Sequence, residues 1–252
     1  MGLFDHDGKR LAAGPALLLA ADPDEQQLLE TARRYDPAVR KWRGRLVFTN
    51  GVLLHGPITI APGTAARSGL PEGMTTGFYA GSAIESHRER HSDEAKELDG
   101  ARLVRGLAVR LGGTTYPGVP HPELALLVSV YAERDVPVQQ VISVLEPYSG
   151  KLAVEQHKSG NYALNGDEIY FYTSYWPPGV FGAADEPPAL GELGRQKLHH
   201  WDLHTGTRAA GAHPDLRLKV GEAALALAGQ AGGVAIDMFG FRLTAPGDLL
   251  GH

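Results

Sequence analysis

Apolar residues along the 252-residue chain change period several times, and each change marks an expected element. In residues 24–34 (DEQQLLETARR) acids lead and arginines close, as a helix dipole prefers. Leu28, Leu29 and Ala32 share one face, so a short helix is predicted there. Residues 45–60 (RLVFTNGVLLHGPITI) are β-rich on both sides of Asn50-Gly51, a pair that tolerates positive φ and so favours a hairpin. Residues 61–81, rich in Gly, Pro and Thr, predict an irregular connection.

A helical stretch opens near Ser82, breaks around 98–100 and resumes through Arg110. Ala101, Val104, Leu107, Ala108 and Leu111 form its core-facing stripe. Gly112-Gly113 ends it, the first glycine suited to a left-handed cap. Residues 124–131 (LALLVSVY) read as a central strand. Asp135 and Pro137 then open a helix carrying Val138, Val141, Ile142 and Leu145, which Pro147 closes. Residues 151–157 and 167–175 predict strands joined through Ser159-Gly160 and Asn165-Gly166. Residues 177–188 form a Pro/Gly-rich loop, 190–203 predict a helix, and 215–230 predict another. Gly232-Gly233 leads into a last strand over 234–237.

One echo organises these elements. Leu107-Ala108 precedes Gly112-Gly113 by the spacing at which Leu227-Ala228 precedes Gly232-Gly233, and each glycine pair leads into a β-type triplet. The expectation is an α+β fold over 1–252 as a single body, with helices packed on largely antiparallel sheet. Two ferredoxin-like halves, 22–120 and 121–252, would be related by an internal repeat. A Rossmann fold is disfavoured, because strands and helices do not alternate regularly and no G-x-G-x-x-G follows a strand.

Composition adds mostly exclusions. Hydrophobic residues at 43% and charged residues at 21% describe an ordinary globular chain rather than a disordered one. A formal charge of −5 leaves no basic footprint for nucleic acid. The absence of cysteine removes disulfides, thiolate metal sites and a cysteine nucleophile. Residues 11–21 (LAAGPALLLAA) follow Lys9-Arg10 and mimic a secretion signal. Asp5 and Asp7 before the run and Gly14-Pro15 within it argue for a cytoplasmic protein instead, and no run is long enough to span a membrane. Arginine outnumbers lysine among the 24 basic residues, a bias of high-GC bacterial genomes.

Familiar catalytic motifs are missing: no phosphate loop, no H-E-x-x-H, no G-x-S-x-G elbow. Two constellations remain. His87 and His91, like His200 and His204, are four apart, the spacing that places two imidazoles on one helical face. With Glu85 as the carboxylate that handles a proton, they would hold Zn, Fe or Mn and activate water or oxygen. Tyr170, Tyr172, Tyr175 and Trp176 make the densest aromatic patch and would wall a ligand pocket. Two functional classes follow. One is a small-molecule- or protein-binding protein of the interaction or immunity type; the other is a metal-dependent enzyme built on the paired histidines. Oligomeric state is not legible in the sequence.

Overall fold

The computed structural model describes residues 4–82, 93–117, 126–156, 160–166, 171–176, 187–195, 198–205 and 214–250. The chain divides into two compact units, Met1–His121 and Pro122–His252.

The first unit runs α1 (Phe4–Ala13), β1 (Ala16–Leu19), α2 (Glu25–Tyr35), β2 (Arg40–Trp42), β3 (Arg45–Val47) and β4 (Val52–Thr59). It continues with α3 (Pro62–Ser68), β5 (Thr76–Ser82), α4 (Asp93–Leu111) and β6 (Thr114–Tyr116). Its six strands form one sheet in the order β2-β3-β4-β5-β1-β6, every pairing antiparallel. Asp24 caps α2 by accepting the Gln27 N–H at 2.9 Å, and Leu28, Ala32 and Tyr35 turn inward. Asp36, past the end of α2, is almost wholly buried. It accepts the backbone N–H of Ala38 at 2.9 Å and of Thr49 at 2.6 Å, and so ties the helix end to the loop between β3 and β4.

The apolar run that mimics a secretion signal is split between the end of α1 and strand β1. Ala16, Leu17 and Leu18 are fully buried at the interior of the sheet. Alternate residues face α4 on one side and α1 on the other, so a strand covered on both faces reads as unbroken hydrophobicity.

The second unit runs β7 (Leu126–Ala132), α5 (Val138–Ser149), β8 (Leu152–Gln156), β9 (Tyr162–Gly166) and β10 (Phe171–Trp176). After a 3₁₀ helix at Pro188–Arg195 come β11 (His199–Thr205), α6 (Pro214–Ala231) and β12 (Val234–Asp237). Its sheet has the order β8-β9-β10-β11-β7-β12, again antiparallel throughout. Helices α5 and α6 cover the face that carries Val128, Val130, Trp201, Leu203, Tyr162 and Tyr175. The Trp201 indole N–H is satisfied inside this core by the Tyr162 hydroxyl at 2.9 Å.

From β1 and β7 onward the two units share one succession of elements, with α3 matched by the 3₁₀ helix, and one strand order. Both are α+β, with helices on antiparallel sheet. The glycine pairs show why the echo sits where it does. Gly112 and Gly232 each have φ of 68°. The next residues, Gly113 and Gly233, each donate an N–H at 2.8 Å to the carbonyl five residues back, Ala108 and Ala228. Each second glycine then lies against the first strand of its unit. A Cβ on Gly113 would fall 2.7 Å from the Leu18 carbonyl oxygen, and one on Gly233 would collide with that of Tyr131.

Several elements differ from expectation. Each sheet has six strands, because the stretch between α2 and α4, like that between α5 and α6, forms an antiparallel meander. Residues 61–81 hold α3 and most of β5; Gly77 and Gly81 hide the strand's pattern. Gly77 is needed because a Cβ there would lie 2.7 Å from Leu11 of α1. Helix α4 passes through 98–100 unbroken, and Gly100 there lets it approach Ala80 of β5. Pro147 lies inside α5, which ends at Gly150, and Pro137 rather than Asp135 is its N-cap. Asn165-Gly166 belongs to β9 rather than to a turn. Residues 190–203 are not one helix but the 3₁₀ turn and β11, whose His-Trp-Asp-Leu-His run has the two-residue period of a strand. No helix among the described residues is long and apolar enough to cross a membrane.

Candidate functional site

The sequence-derived candidates among the described residues fall on two paired strands, β10 and β11, where Tyr172 stands opposite His204 and Trp176 opposite His200. Glu85, His87, His91 and Tyr170 lie outside the described residues, as does most of the 177–188 loop. Tyr172, Tyr175 and Trp176 all belong to β10. Tyr175 belongs to the helix-side core. It stacks on Tyr162 with ring centroids 4.7 Å apart, and its hydroxyl is 2.7 Å from His199 Nδ1.

His200 and His204 stand on β11, not on a helix. Four residues of extended chain separate their Cα atoms by about 13 Å, too far for the one-turn grip expected from the spacing. Asp202 lies between them on the same face. Its Oδ1 accepts the Ser129 hydroxyl at 2.6 Å and sits 2.7 Å from His200 Nε2, while His200 stacks on Tyr131 at 4.3 Å. Burial pushes the Asp202 carboxyl up, but the His200 and Ser129 contacts outweigh it, helped by His204, and hold it below the usual carboxylate range. Burial in turn holds His204 below the ordinary histidine value. The Ser129 hydroxyl donates to a carboxylate rather than to an imidazole, so this cluster lacks the nucleophile–base pairing of acyl transfer. Among the described residues no group of three or more His, Asp or Glu gathers as a metal site.

A concave site instead forms in the first unit, on the sheet face covered by α2 and α4. Leu28 and Leu29 of α2 approach Leu46, Leu54 and Phe78 of β3, β4 and β5 and enclose a cleft of about 270 Å³. Its polar rim includes Asp22, Glu25, Lys41 and Arg45. The rim is partly pre-organised: Lys41 Nζ pairs with Glu25 Oε1 at 2.5 Å, and Asp22 accepts the Thr76 hydroxyl. The cleft opens where β4 bulges at Gly56-Pro57, beside the start of β3. Two sequence signals mark it. Leu29 adds an apolar residue beside the buried stripe of α2, and Gly-Pro interrupts an otherwise regular strand.

No family model, curated protein or solved structure matches the chain.

Proposed function

We propose that the protein is a cytoplasmic small-molecule-binding protein whose ligand enters the cleft of the first unit. The observation that carries this reading is the composition of the cleft: leucine and phenylalanine walls, with a few charged groups confined to the rim. Ligand sites commonly combine a concave apolar body with sparse polar groups that fix orientation. At about 270 Å³ the cleft suits a compact ligand of up to three rings better than an extended chain. The Lys41–Glu25 pair offers one donor and one acceptor at the mouth, and both side chains are more than half exposed and free to reorganise. The proposal is one of binding: the Asp22 and Glu25 carboxylates and the Lys41 amine stand at the rim, where Asp22 accepts the Thr76 hydroxyl and Glu25 pairs with Lys41.

The test uses anilinonaphthalene sulfonate, a fused-ring probe that brightens on leaving water. Saturable enhancement should occur with the intact chain. It should be lost in Leu29→Trp, which fills the cleft from an only partly buried position. It should persist in Val154→Lys, on an exposed position of β8 in the second unit. Loss of enhancement in Val154→Lys with retention in Leu29→Trp overturns the reading.

A further inference from the structure

On the opposite face of the first sheet, Arg10 of α1, Arg43 and Arg45 of the β2–β3 hairpin, and His55 and Tyr79 of β4 and β5 line an open groove of about 200 Å³. We propose that this groove is a second binding site, one for a phosphate dianion, either free or as a small phosphomonoester.

Three observations converge on it. The first is charge without compensation. Among the described residues no carboxylate pairs with Arg10, Arg43 or Arg45, in a chain whose net charge is −5. Arginines that stabilise a fold usually meet an acid. A set of three guanidiniums facing one hollow instead offers the forked donors that match phosphate oxygens.

The second is positioning. His55 and Tyr79 are cross-strand partners whose rings stack in parallel, 4.5 Å apart and 3° from coplanar. Arg10 lies over the Tyr79 ring at 6.0 Å. Arg43 lies 4.7 Å from the ring centre of Trp42, itself half exposed. These ring faces restrict two long side chains ahead of a ligand and so lower the entropy of ordering them.

The third is backbone geometry. Arg43 and Gly44 form the two-residue turn between the paired Trp42 and Arg45, with φ of 49° and 75°. Arg43 is the only non-glycine residue with positive φ among the described residues. Asn, Asp or Gly would fill this position with less strain, so an arginine there points to a use for its side chain. His55 reports the same field. Burial holds it below the ordinary histidine value, and Arg45 and Arg10 push it the same way.

The groove and the proposed ligand cleft share Gly44, Arg45, Gly56 and Pro57 as a common wall but open on different faces of the sheet. The two sites can therefore be tested apart. Inorganic phosphate and glycerol 3-phosphate are titrated calorimetrically into the intact chain at low ionic strength. Saturable binding is expected. It should weaken tenfold or more in Arg45→Ala and in Arg43→Gly, the latter a variant that suits the turn and so keeps the fold. Arg67→Ala, outside the groove, should bind as the parent does, and so should Leu29→Trp, which blocks only the cleft. Tighter binding of the ester assigns a phosphomonoester ligand, and equal binding assigns the free anion; either result supports the site. Absence of binding to the parent overturns the proposal, as does equal binding by Arg43→Gly, Arg45→Ala and the parent.

Discussion

Tyr79 and Asp202 occupy the same position in the two sheets. Tyr79 on β5 pairs with Ala16 on one side and His55 on the other, while Asp202 on β11 pairs with Ser129 and Ser174. Counted from the strands that follow the glycine pairs, these are equivalent rungs of equivalent ladders. The repeat has kept its backbone pairing and exchanged its chemistry. One copy carries a stacked ring beneath Arg10, and the other a partly buried carboxylate beside serine and histidine.

That carboxylate should show in the acid stability of the protein. Because the folded state holds Asp202 below its ordinary value, its ionised form adds stability above about pH 4, and the gain is lost as pH falls through the lowered value. Asp202→Asn should lower stability at pH 7 by about 1–3 kcal/mol. Its stability should then fall less steeply than the parent's between pH 5 and pH 3, within the range where carboxylates titrate. Urea midpoints across that range measure both effects, and parallel pH profiles would speak against the assigned role.

The glycine pairs make an ordered set of expectations. Gly112→Ala and Gly232→Ala place a Cβ on left-handed backbone with open space around it, at a cost of about 1 kcal/mol. Gly113→Ala and Gly233→Ala push a Cβ into the neighbouring strand and should cost more, about 2–3 kcal/mol. Urea denaturation of the four variants checks the order, which should be the same in both units.

Tyr162→Phe removes the acceptor of the Trp201 indole N–H in a fully buried setting. An unsatisfied donor there should cost about 1–3 kcal/mol. The loss of the hydrogen bond should also shift Trp201 fluorescence, with the other two tryptophans as internal reference.

Arg43→Gly should stabilise the first unit by about 1 kcal/mol, because glycine relieves the positive φ. Thermal unfolding at low phosphate measures it. The prediction pairs a gain in stability with the loss of anion binding, the pattern of a residue kept for function rather than folding.

The fold was legible wherever pattern and backbone agreed. Helix α2, the loop at Asn50-Gly51, strand β7, helix α6 and strand β12 follow from periodicity and glycine placement, and the repeat follows from two glycine pairs with one mechanical task. Legibility failed where a residue served tertiary packing. Gly77 and Gly100 read as breakers because the chain elements they admit, α1 against β5 and β5 against α4, lie far away in sequence. His200 and His204 have a spacing that fits a helix, yet the alternation through Trp201 and Leu203 belongs to a strand. The cleft was the least legible feature, since Leu28, Leu46, Leu54 and Phe78 look like any core residues until α2 and the sheet edge come together.

The most direct test of the account is an amide NMR titration of the full chain with anilinonaphthalene sulfonate. The proposed function predicts shifts concentrated at Leu29, Lys41, Arg45, Gly56 and Phe78, with β7, β10 and β11 of the second unit unmoved. Shifts confined to Ser129, Tyr175, His200 and Asp202, with the first unit silent, would contradict it.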